Sequence, residues 1–542
     1  MKKLISAALL LSAVICYAQK PNITWSKEFK MKNGSNGPKV VLLDQSGIYL
    51  EGQFSFEQGT LTRLDKDFKL LYSNDYGKEL KGKDFERFFV LKDKIFLLAT
   101  DYLKREKKLT LFGLEIDKNT GEQSGDWQEI VSLKSERDRY VNYHIGYTAD
   151  SNNMVIVSFL PSGQKTNFEI QKYNTNLKPV SNPISITNEF EAKAFFLNDV
   201  LYTSGGNVAV TVRIPENEEG KPKTLCCGNY NFRIYDGQGK KLKEIDTEVS
   251  GKWVVASHWL QTLNKEIMLV CFLSDEKGGK EITGMLVQRI DPQTGNVISK
   301  NQKDFDTPVT MLNTPDDAPI GEVTKSVIQE REWLRGVERK GEGFPKHVQV
   351  TNISFTADSG VVIIAEKCNS YILPVSGVQS SANVYQEVYH WGDLLMCRID
   401  APGTINWVHV VPRKQWELFT MTNNVMSIGK SYFSRSNNRP FYSGAGVFPS
   451  AGKITIVFND HKRNTNVVGL GQRVEPIGYL THADCFALTL DAATGKYTRT
   501  VLFINDDAHY IMPRHGNMLG REVYLTAESS NKNSILRFDL SN

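Results

Sequence analysis

Two short acid–histidine pairs stand at either end of one polar segment near the C-terminus. Asp460-His461 follows an apolar run, and His482-Ala-Asp484 begins the next one. If these runs are adjacent antiparallel strands, their imidazole and carboxylate groups converge within several ångströms, which suits a divalent cation or a proton relay. Asp and His are also common at hairpin stems, and the chain has no closely spaced histidine pair. We therefore favour the alternative, a structural polar cluster.

Aromatic and arginine residues are concentrated in the same part of the chain. Flat apolar rings stack on sugars or peptide side chains, and charged groups orient a polar ligand. The candidate ligand-binding residues are therefore Trp391, Tyr432, Arg435, Arg439, His461, His482 and Asp484. The competing interpretation is that the aromatic residues, which favour strands, fill the interfaces between sheets. The sequence identifies neither a metal nor a cofactor for this set.

The elements that must position these residues belong to a repeat of roughly 50 residues. In each copy an apolar strand ends in Asp or Asn, a polar turn follows, and a second strand begins. The eight copies end at Asp65, Asp117, Asn174, Asp236, Asp291, Asp400, Asp491 and Asp539. Four short antiparallel strands per copy are typical of a propeller blade. The sequence predicts an all-β fold, a single closed β-propeller of eight four-stranded blades, or of six or seven if one copy is misread.

The last copy is one strand short, because only three residues follow Asp539. Residues 22–30 form an isolated strand-like run that could complete it, and closing the ring in this way removes exposed strand edges. We therefore expect one propeller domain over 19–542. Within it, 303–346 is expected to be an insertion, with an amphipathic helix over 319–337 that packs on the rim or binds a partner.

Long segments interrupt the repeat, and the predicted topology places all of them on one face. Strands alternate in direction, so connections between the second and third strands emerge beside connections between blades. The long segments of these two kinds are 205–229, 303–346, 369–390, 413–438 and 461–482. Long loops on a rigid scaffold usually carry function. We expect the face of blades five to seven to bind a ligand; the alternative is that these loops only cover the channel mouth.

Residues 1–18 have the charged, apolar and small-residue regions of a secretory signal peptide. The apolar region, 4–15, is too short to cross about 30 Å of hydrocarbon as a helix. We expect cleavage before Gln19, export to the periplasm or the cell exterior, and no transmembrane segment in the mature chain. A lipoprotein acylated at Cys16 is the alternative.

The charge of the chain limits the class of its partners, and its cysteine content bears on disulfide formation. The 65 basic and 61 acidic residues nearly balance, which is not the pattern of a nucleic-acid-binding protein. Six cysteines follow Cys16, an even number that permits disulfides in an exported protein. Cys271 lies in an apolar run and is expected to be buried. The adjacent Cys226 and Cys227 could close a strained ring, pair with other cysteines, or stay unpaired.

Three turns of the repeat share a longer pattern, Asp-x-x-Thr-Gly, at 117–121, 291–295 and 491–495. They resemble the repeats of quinoprotein-type eight-bladed propellers. That family includes pyrroloquinoline-quinone dehydrogenases, some with a vicinal disulfide at the cofactor, and non-catalytic outer-membrane assembly factors. The resemblance implies the fold and the blade count. This chain has no counterpart of the family's calcium-ligand pattern or catalytic Asp, so the dehydrogenase activity is not carried over.

These observations favour an exported, non-catalytic propeller that binds a protein or carbohydrate ligand through the face of blades five to seven. One alternative is an enzyme, a quinone-dependent dehydrogenase or a hydrolase, with its site in the propeller mouth. Another is a structural component of a cell-surface complex. Bound-cofactor absorbance would distinguish the quinone enzyme from the other two.

Overall fold

The computed structural model describes separate stretches of the 542-residue chain. The predicted helix, the adjacent Cys226 and Cys227, and three of the candidate ligand-binding residues lie outside them. The described residues are 22–32, 36–55, 58–103, 105–134, 142–148, 150–162, 165–186, 196–215, 228–245, 251–276, 281–310, 348–374, 384–422, 441–469, 472–477, 480–505, 509–529 and 532–540.

Short strands make up nearly all of the described structure, as their β-branched and aromatic content predicts. Two short 3₁₀ turns, Lys462–Asn464 and Leu480–His482, lie in the connection after β28. The strands are β1 (Ile23–Trp25), β2 (Asn36–Asp44), β3 (Gly47–Ser55), β4 (Gln58–Leu64), β5 (Leu70–Asp75), β6 (Asp84–Leu91), β7 (Lys94–Leu103), β8 (Lys108–Ile116), β9 (Gln128–Lys134), β10 (Asn142–Tyr147), β11 (Met154–Ser162), β12 (Lys165–Tyr173), β13 (Ile184–Ile186), β14 (Phe196–Tyr202), β15 (Val208–Pro215), β16 (Gly228–Tyr235), β17 (Lys241–Ile245), β18 (Trp253–Gln261), β19 (Ile267–Ser274), β20 (Glu281–Ile290), β21 (Val297–Thr310), β22 (Val348–Phe355), β23 (Val361–Pro374), β24 (Val384–Ile399), β25 (Ile405–Val411), β26 (Gln415–Thr422), β27 (Gly446–Ser450), β28 (Lys453–His461), β29 (Ala483–Asp491), β30 (Tyr497–Phe503), β31 (Tyr510–Leu519), β32 (Glu522–Ser529) and β33 (Lys532–Asp539).

These strands form eight antiparallel sheets, which confirms the predicted propeller and its blade count. Blades one to five each take four consecutive strands from β2 to β21. Blade six contains β22 to β25, with β26 paired onto β24, and blade seven contains β27 to β30. Blade eight has the order β1-β33-β32-β31, so its outermost strand comes from the other end of the chain.

The pairing of β1 with β33 closes the ring. Ile23 lies opposite Phe538, and a further bridge joins Phe29 to Asn533 through two backbone hydrogen bonds of 2.9 Å. The outer edge that β33 would otherwise expose is thereby paired. Behind this seam, buried side chains of blade one, such as Leu50, pack against Tyr524 of blade eight.

The first strand of each blade lies next to the first strand of a neighbouring blade and therefore faces the central channel, as at β10 with β14 and β2 with β31. A register shift interrupts the pairing of this inner strand in blades one, two, four, five, six and eight. A bulge bends the strand and changes the direction of nearby side chains. Polar residues at these bulges can therefore line the channel.

The recurring Asp explains the repeat, because its side chain fixes the turn between the third and fourth strands. Asp117 Oδ1 accepts hydrogen bonds from the backbone N–H groups of Asn119 (2.7 Å) and Thr120 (2.9 Å). Gly121, at φ 69°, then donates to the Asp117 carbonyl, a left-handed position that favours glycine. The turns at 291–295 and 491–495 repeat this geometry.

The basic residue two positions before that Asp has a second role, which sequence analysis did not identify. Its side chain donates to a backbone carbonyl in the corresponding turn of the next blade. We call these contacts the inter-blade clamps, and one of them crosses the seam between blades eight and one. The clamps are Arg63 to Lys118, Lys172 to Gly237, Arg289 to Pro402, Arg398 to Ala493, and Arg537 to Lys66.

The core consists of apolar clusters between neighbouring blades. Val270 of blade five and Ile363 of blade six, for example, are fully buried in one shared cluster. Cys271 is buried, as expected, and the four cysteines within the described residues, Cys271, Cys368, Cys397 and Cys485, are all buried and in no disulfide. In the described part of the chain, no helix has the length and apolar character needed to cross a membrane.

The expectation that the long segments are loops is wrong for several of them. β23 continues to Pro374 and β24 begins at Val384, so most of 369–390 is paired strand. Similarly, β26 occupies part of 413–438, and β21 extends into 303–346. The sequence did not reveal this continuation, because turn-forming residues interrupt the strand pattern in these segments. The continued strands pair with each other beyond the end of the ordinary blade.

Candidate functional site

The structure places the candidate ligand-binding residues in two groups. Tyr432, Arg435 and Arg439 lie outside the described residues. The other candidates separate into His461, His482 and Asp484 in blade seven, which we call the histidine cluster, and Trp391 at the base of a blade-six extension.

The register of β28 and β29 brings the histidine cluster together. Asp460 lies opposite Asp484 and His461 lies opposite Ala483, so the two acid–histidine pairs do meet at the strand ends. The rings of His461 and His482 are 6.0 Å apart in an edge-to-face arrangement. His461 Nδ1 accepts the backbone N–H of Arg463 at 3.1 Å. Within the described residues, no three His, Cys, Asp or Glu side chains are grouped closely enough to hold a metal ion.

Asp460 is a structural carboxylate. It is fully buried and forms an ion pair of 2.6 Å with Arg499, and it also accepts from Asn464 Nδ2 at 2.8 Å. Burial raises the pKa of Asp460, although Arg499 opposes this shift. The Arg499 guanidinium lies 4.4 Å from the ring centre of Phe486. With these partners, Asp460 is fully engaged inside blade seven.

Asp484 and His461 are better suited to contact a ligand. Burial raises the pKa of the Asp484 carboxyl, and Lys462 opposes the shift. Asp484 Oδ1 is buried with no hydrogen-bond partner among the described residues. Burial also lowers the pKa of His461, which favours the neutral ring. The His461 ring and the Asp484 carboxyl therefore offer hydrogen-bonding groups to a polar ligand.

Blade six carries a three-stranded extension on the face where the long segments emerge. β24 has 16 residues and pairs first with β26 through Val384–Trp391 and then with β25 through Leu394–Ile399. The second half of β23 pairs on its other side. At about 3.3 Å per residue, the added strands project roughly 25 Å. We call the paired segments 368–374, 384–391 and 415–422 the blade-six extension.

A buried ion pair holds the base of this extension. Arg413 lies in the break between β25 and β26, and its Nη2 contacts the Glu366 carboxylate on β23. Neither side chain is exposed to solvent. Arg413 Nε also donates to the Gly392 carbonyl at 3.1 Å, and its guanidinium lies 5.3 Å from the ring centre of Phe458 in blade seven. The pair therefore fixes the extension to two blades.

A short segment, 441–445, is held against the extension by its backbone, and we call it the strap. Glu417 accepts from the N–H groups of Phe441 (2.9 Å), Tyr442 (2.8 Å) and Ser443. Gln415 Oε1 accepts from Gly444 N–H, and Glu366 from Ala445 N–H. Burial raises the pKa of Glu417, although its bonds with the strap oppose this. Five consecutive N–H groups are thus satisfied by side chains of blade six.

The strap also reaches the inner strands of blades eight and one. The Phe441 ring lies 5.2 Å from the Phe419 ring and 6.3 Å from the His515 ring. A Cβ built on Gly37 would come within 2.2 Å of Phe441 Cε1, so only glycine leaves room for the ring. The strap therefore connects blade six to the inner strands of blades eight and one.

Trp391 belongs to this packed region rather than to an open surface. Its side chain is 6% exposed, and the Arg514 guanidinium of blade eight lies 5.1 Å from its ring centre. Gly444 of the strap packs near its indole nitrogen. In this arrangement the indole ring positions Arg514 beside the channel.

Sequence analysis missed an Asp–His pair on the inner strands of blades four and five. His258 Nδ1 lies 3.1 Å from Asp199 Oδ2, which also accepts the Trp259 N–H at 2.9 Å. Burial opposes the charged imidazole, but Asp199 nevertheless raises the pKa of His258 and the pKa of Asp199 is itself lowered. The two residues are far apart in sequence; only an alignment of the repeats, which puts both on inner strands, could have paired them.

The comparisons with known proteins show only distant likeness. No family model matches the chain, and no curated protein matches it. A polysaccharide lyase, Uly1, is 10% identical with a TM-score of 0.36, covering 97% of this chain and 94% of that one. An oligogalacturonate lyase in complex with manganese is 9% identical with a TM-score of 0.37, covering 96% and 98%. The propeller domain of the Trilobed protease from Pyrococcus furiosus is 10% identical with a TM-score of 0.29, covering 88% and 98%. Likeness at this level carries nothing about function.

Proposed function

We propose that this chain is an exported, non-catalytic binding scaffold that takes a protein or carbohydrate ligand on the face of blades five to seven. The observation that carries the proposal is the blade-six extension. It is the part of the described structure that departs furthest from the regular blade, and buried polar contacts hold it in one position.

Rigidity is the physical reason why such an extension suits binding. The Glu366–Arg413 pair and the strap fix its base, so a ligand need not order a free loop when it binds. Leu418 on β26 is 48% exposed, which gives the extension an apolar contact beside polar neighbours. The histidine cluster of the adjacent blade supplies hydrogen-bonding groups.

The residues outside the described part remain in the proposal. Tyr432, Arg435 and Arg439 follow β26 in the chain and precede the strap, so their segment begins and ends on this face. Tyrosine and arginine are among the side chains enriched at binding hot spots. In the sequence, Arg439 is separated from the strap by one residue.

The test begins with a search for a ligand on a glycan array and, for proteins, by capture from native membranes followed by binding to the purified partner. Affinity and melting temperature are then measured for Tyr432→Ala, Arg435→Ala and His482→Ala. We expect each substitution to cost about 2 kcal/mol of binding energy with little loss of fold stability. The matched control is Asn153→Ala, an exposed residue of a turn at the opposite face. Affinity that survives all three substitutions, or that falls only as the fold melts, would place the site elsewhere.

The enzymatic alternative rests on the three Asp-x-x-Thr-Gly turns and their resemblance to quinoprotein-type propellers. In this chain each such turn is explained by its own hydrogen bonds, and the turns at 117–121 and 491–495 also accept an inter-blade clamp. The turns therefore have a structural role that requires no cofactor. The rigid extension supports the binding scaffold rather than the enzyme. The protein ligand of such a scaffold can be another component of a cell-surface complex.

A further inference from the structure

The connection between β28 and β29 has an unusual charge for this chain. Among residues 461–482 only Glu475 is acidic, whereas three residues are basic, Lys462, Arg463 and Arg473. In the sequence, the segment 423–440 also has three basic residues and none that is acidic. The whole chain is nearly balanced, with 65 basic and 61 acidic residues. Positive charge is therefore concentrated in segments that belong to the proposed ligand face.

The described residues of 461–477, which we call the basic loop, are joined by a buried asparagine. Asn464 Oδ1 accepts the Glu475 N–H at 2.9 Å, and its Nδ2 donates to the Glu475 carbonyl at 2.7 Å. Asn464 is 1% exposed, and its Nδ2 also donates to Asp460 at 2.8 Å. The two arms of the basic loop therefore lie side by side, with an arginine in each.

The basic loop is fixed to both blades of the proposed face. In blade seven, Arg499 Nη1 donates to the Val467 carbonyl at 2.9 Å. At the other end of the loop, the Ile477 N–H donates to the Lys414 carbonyl at 2.9 Å, and Ile477 forms a parallel bridge with Gln415 of the blade-six extension. A loop held at both ends loses little conformational entropy when a ligand binds.

The three basic side chains of the loop are exposed to solvent. Lys462 and Arg463 form no ion pair with any residue that the structure describes. Arg473 pairs with Glu475 at 3.0 Å, but 78% of its side chain remains exposed. These cations are therefore accessible to a ligand from the solvent side.

The nearby carboxylates do not neutralise all of this charge. Asp460 is fully buried in its ion pair inside blade seven. Asp484, on which Lys462 acts electrostatically, is 8% exposed and its Oδ1 is buried. Even when Asp484 and Glu475 are both ionised, Arg463 has no counter-charge among the described residues.

The remaining exposed side chains of the loop indicate the class of ligand. Thr465, Asn466 and Gln472 are exposed and polar, and the one large apolar side chain that is exposed in the described part of the loop is Val468, at 42%. A typical protein interface has an apolar core, which this surface does not offer. Hydroxyl and amide groups instead match the hydroxyl groups of a carbohydrate, which both donate and accept hydrogen bonds.

We propose that the ligand of this face is an acidic carbohydrate, and that Lys462, Arg463 and Arg473 bind its carboxylate or sulfate groups. Arginine forks match the paired oxygen atoms of such groups, and lysine adds a point charge. This inference rests on the proposed function and specifies the class and charge of the ligand. An acidic polypeptide is the competing ligand that the experiment must separate from it.

The experiment uses the purified full chain and three polymers that share one backbone: carboxymethyl dextran, dextran sulfate and unmodified dextran. Polyglutamate represents an acidic polypeptide. The affinity for each polymer is measured by calorimetry at one low salt concentration, because salt screens the attraction between exposed charges. The formal net charge of the chain is only +4, so its overall attraction to a polyanion is small.

We expect at least one acidic dextran to bind and unmodified dextran not to bind. The double variant Arg463→Gln/Arg473→Gln should bind that acidic dextran about tenfold more weakly, because charge-assisted hydrogen bonds are lost. The matched control is Arg105→Gln, an exposed arginine in the corresponding connection of blade two, and it should leave the affinity unchanged. Both variants should keep the wild-type melting temperature, since the replaced side chains are exposed.

Several results would overturn the proposal. They are the absence of binding by both acidic dextrans, equal binding of unmodified dextran, and an unchanged affinity in the double variant. Tighter binding of polyglutamate, with the same loss in the double variant, would replace the carbohydrate by an acidic polypeptide. A neutral ligand whose affinity falls in Tyr432→Ala but not in the double variant would reject this inference and retain the proposed function. The proposed function itself fails only if affinity also survives Tyr432→Ala, Arg435→Ala and His482→Ala.

Discussion

The Glu366–Arg413 pair allows a quantitative test of how the blade-six extension is held. Both side chains are fully buried, and Arg413 joins the break between β25 and β26 to β23. Arg413→Met keeps most of the apolar stem but leaves the Glu366 carboxylate with one hydrogen bond within the described residues, from the Ala445 N–H at 3.3 Å. Removing one partner of a buried pair costs about 3–5 kcal/mol, because the other charge remains buried and uncompensated.

The double variant separates this explanation from a simple loss of contacts. Glu366→Gln alone leaves the guanidinium buried without its carboxylate, so its cost should be similar. When both charges are removed together, no unpaired charge is left, and the double variant should lose less than the sum of the two single losses. The matched control is Arg473→Ala. Arg473 is 78% exposed and pairs with Glu475 at 3.0 Å, and an exposed pair contributes about 0–1 kcal/mol.

Equilibrium urea unfolding, followed by tryptophan fluorescence, measures these differences as shifts of the midpoint at constant slope. Limited proteolysis would show whether 384–422 becomes accessible in the single variants before the propeller unfolds. Single variants within about 1 kcal/mol of the wild type would refute the reasoning. Strict additivity in the double variant would do so as well, because it would mean that the two charges do not act as a pair.

Three other perturbations test the fold and its electrostatics. Deletion of 19–30 removes β1, and the exposed edge of β33 should lower the melting temperature of the whole domain; an unchanged temperature would contradict closure through β1. The folded-state pKa of His258 is raised above its ordinary 6.5 and that of Asp199 is lowered below 3.8. The ion pair therefore stabilises the fold fully between pH 3.8 and pH 6.5. This stabilisation is lost as the pH rises through the folded-state pKa of His258 or falls through that of Asp199. Asp199→Asn should therefore flatten the pH dependence of the urea midpoint. Gly37→Ala should destabilise more than Gly82→Ala, since both have positive φ (62° and 76°) but only Gly37 faces a ring; equal costs would show that Phe441 moves aside freely.

The repeat made the architecture predictable. Each Asp at the end of a third strand is required by its own turn, as at Asp117, so the spacing of these residues counts the blades. The same spacing identified where β1 was needed. The proximity of His461 and His482 followed from assigning the two flanking runs to adjacent strands, which is a local inference.

The features that sequence analysis missed depend on contacts between distant parts of the chain. The blade-six extension was taken for loops because its strands pair only with each other, and turn-forming residues interrupt the pattern. Bulges leave no sequence signature here, so the register shifts of the inner strands could not be predicted from spacing alone. The Arg in Arg398-Ile-Asp400 was visible in the repeat, but its carbonyl partner at Ala493 is known only once blades are placed side by side.

Closure through β1 has a consequence for the order of folding. Ile23 pairs with Phe538, so the ring cannot close until the whole segment between these two residues has been synthesised. Contacts this distant in sequence fold slowly, because chain entropy must be lost before the pairing compensates for it. Until then, the inner strands of blades one and eight cannot pack against each other, and the clamp from Arg537 to Lys66 cannot form. A chain kept unfolded during passage across a membrane would complete this step only at its destination.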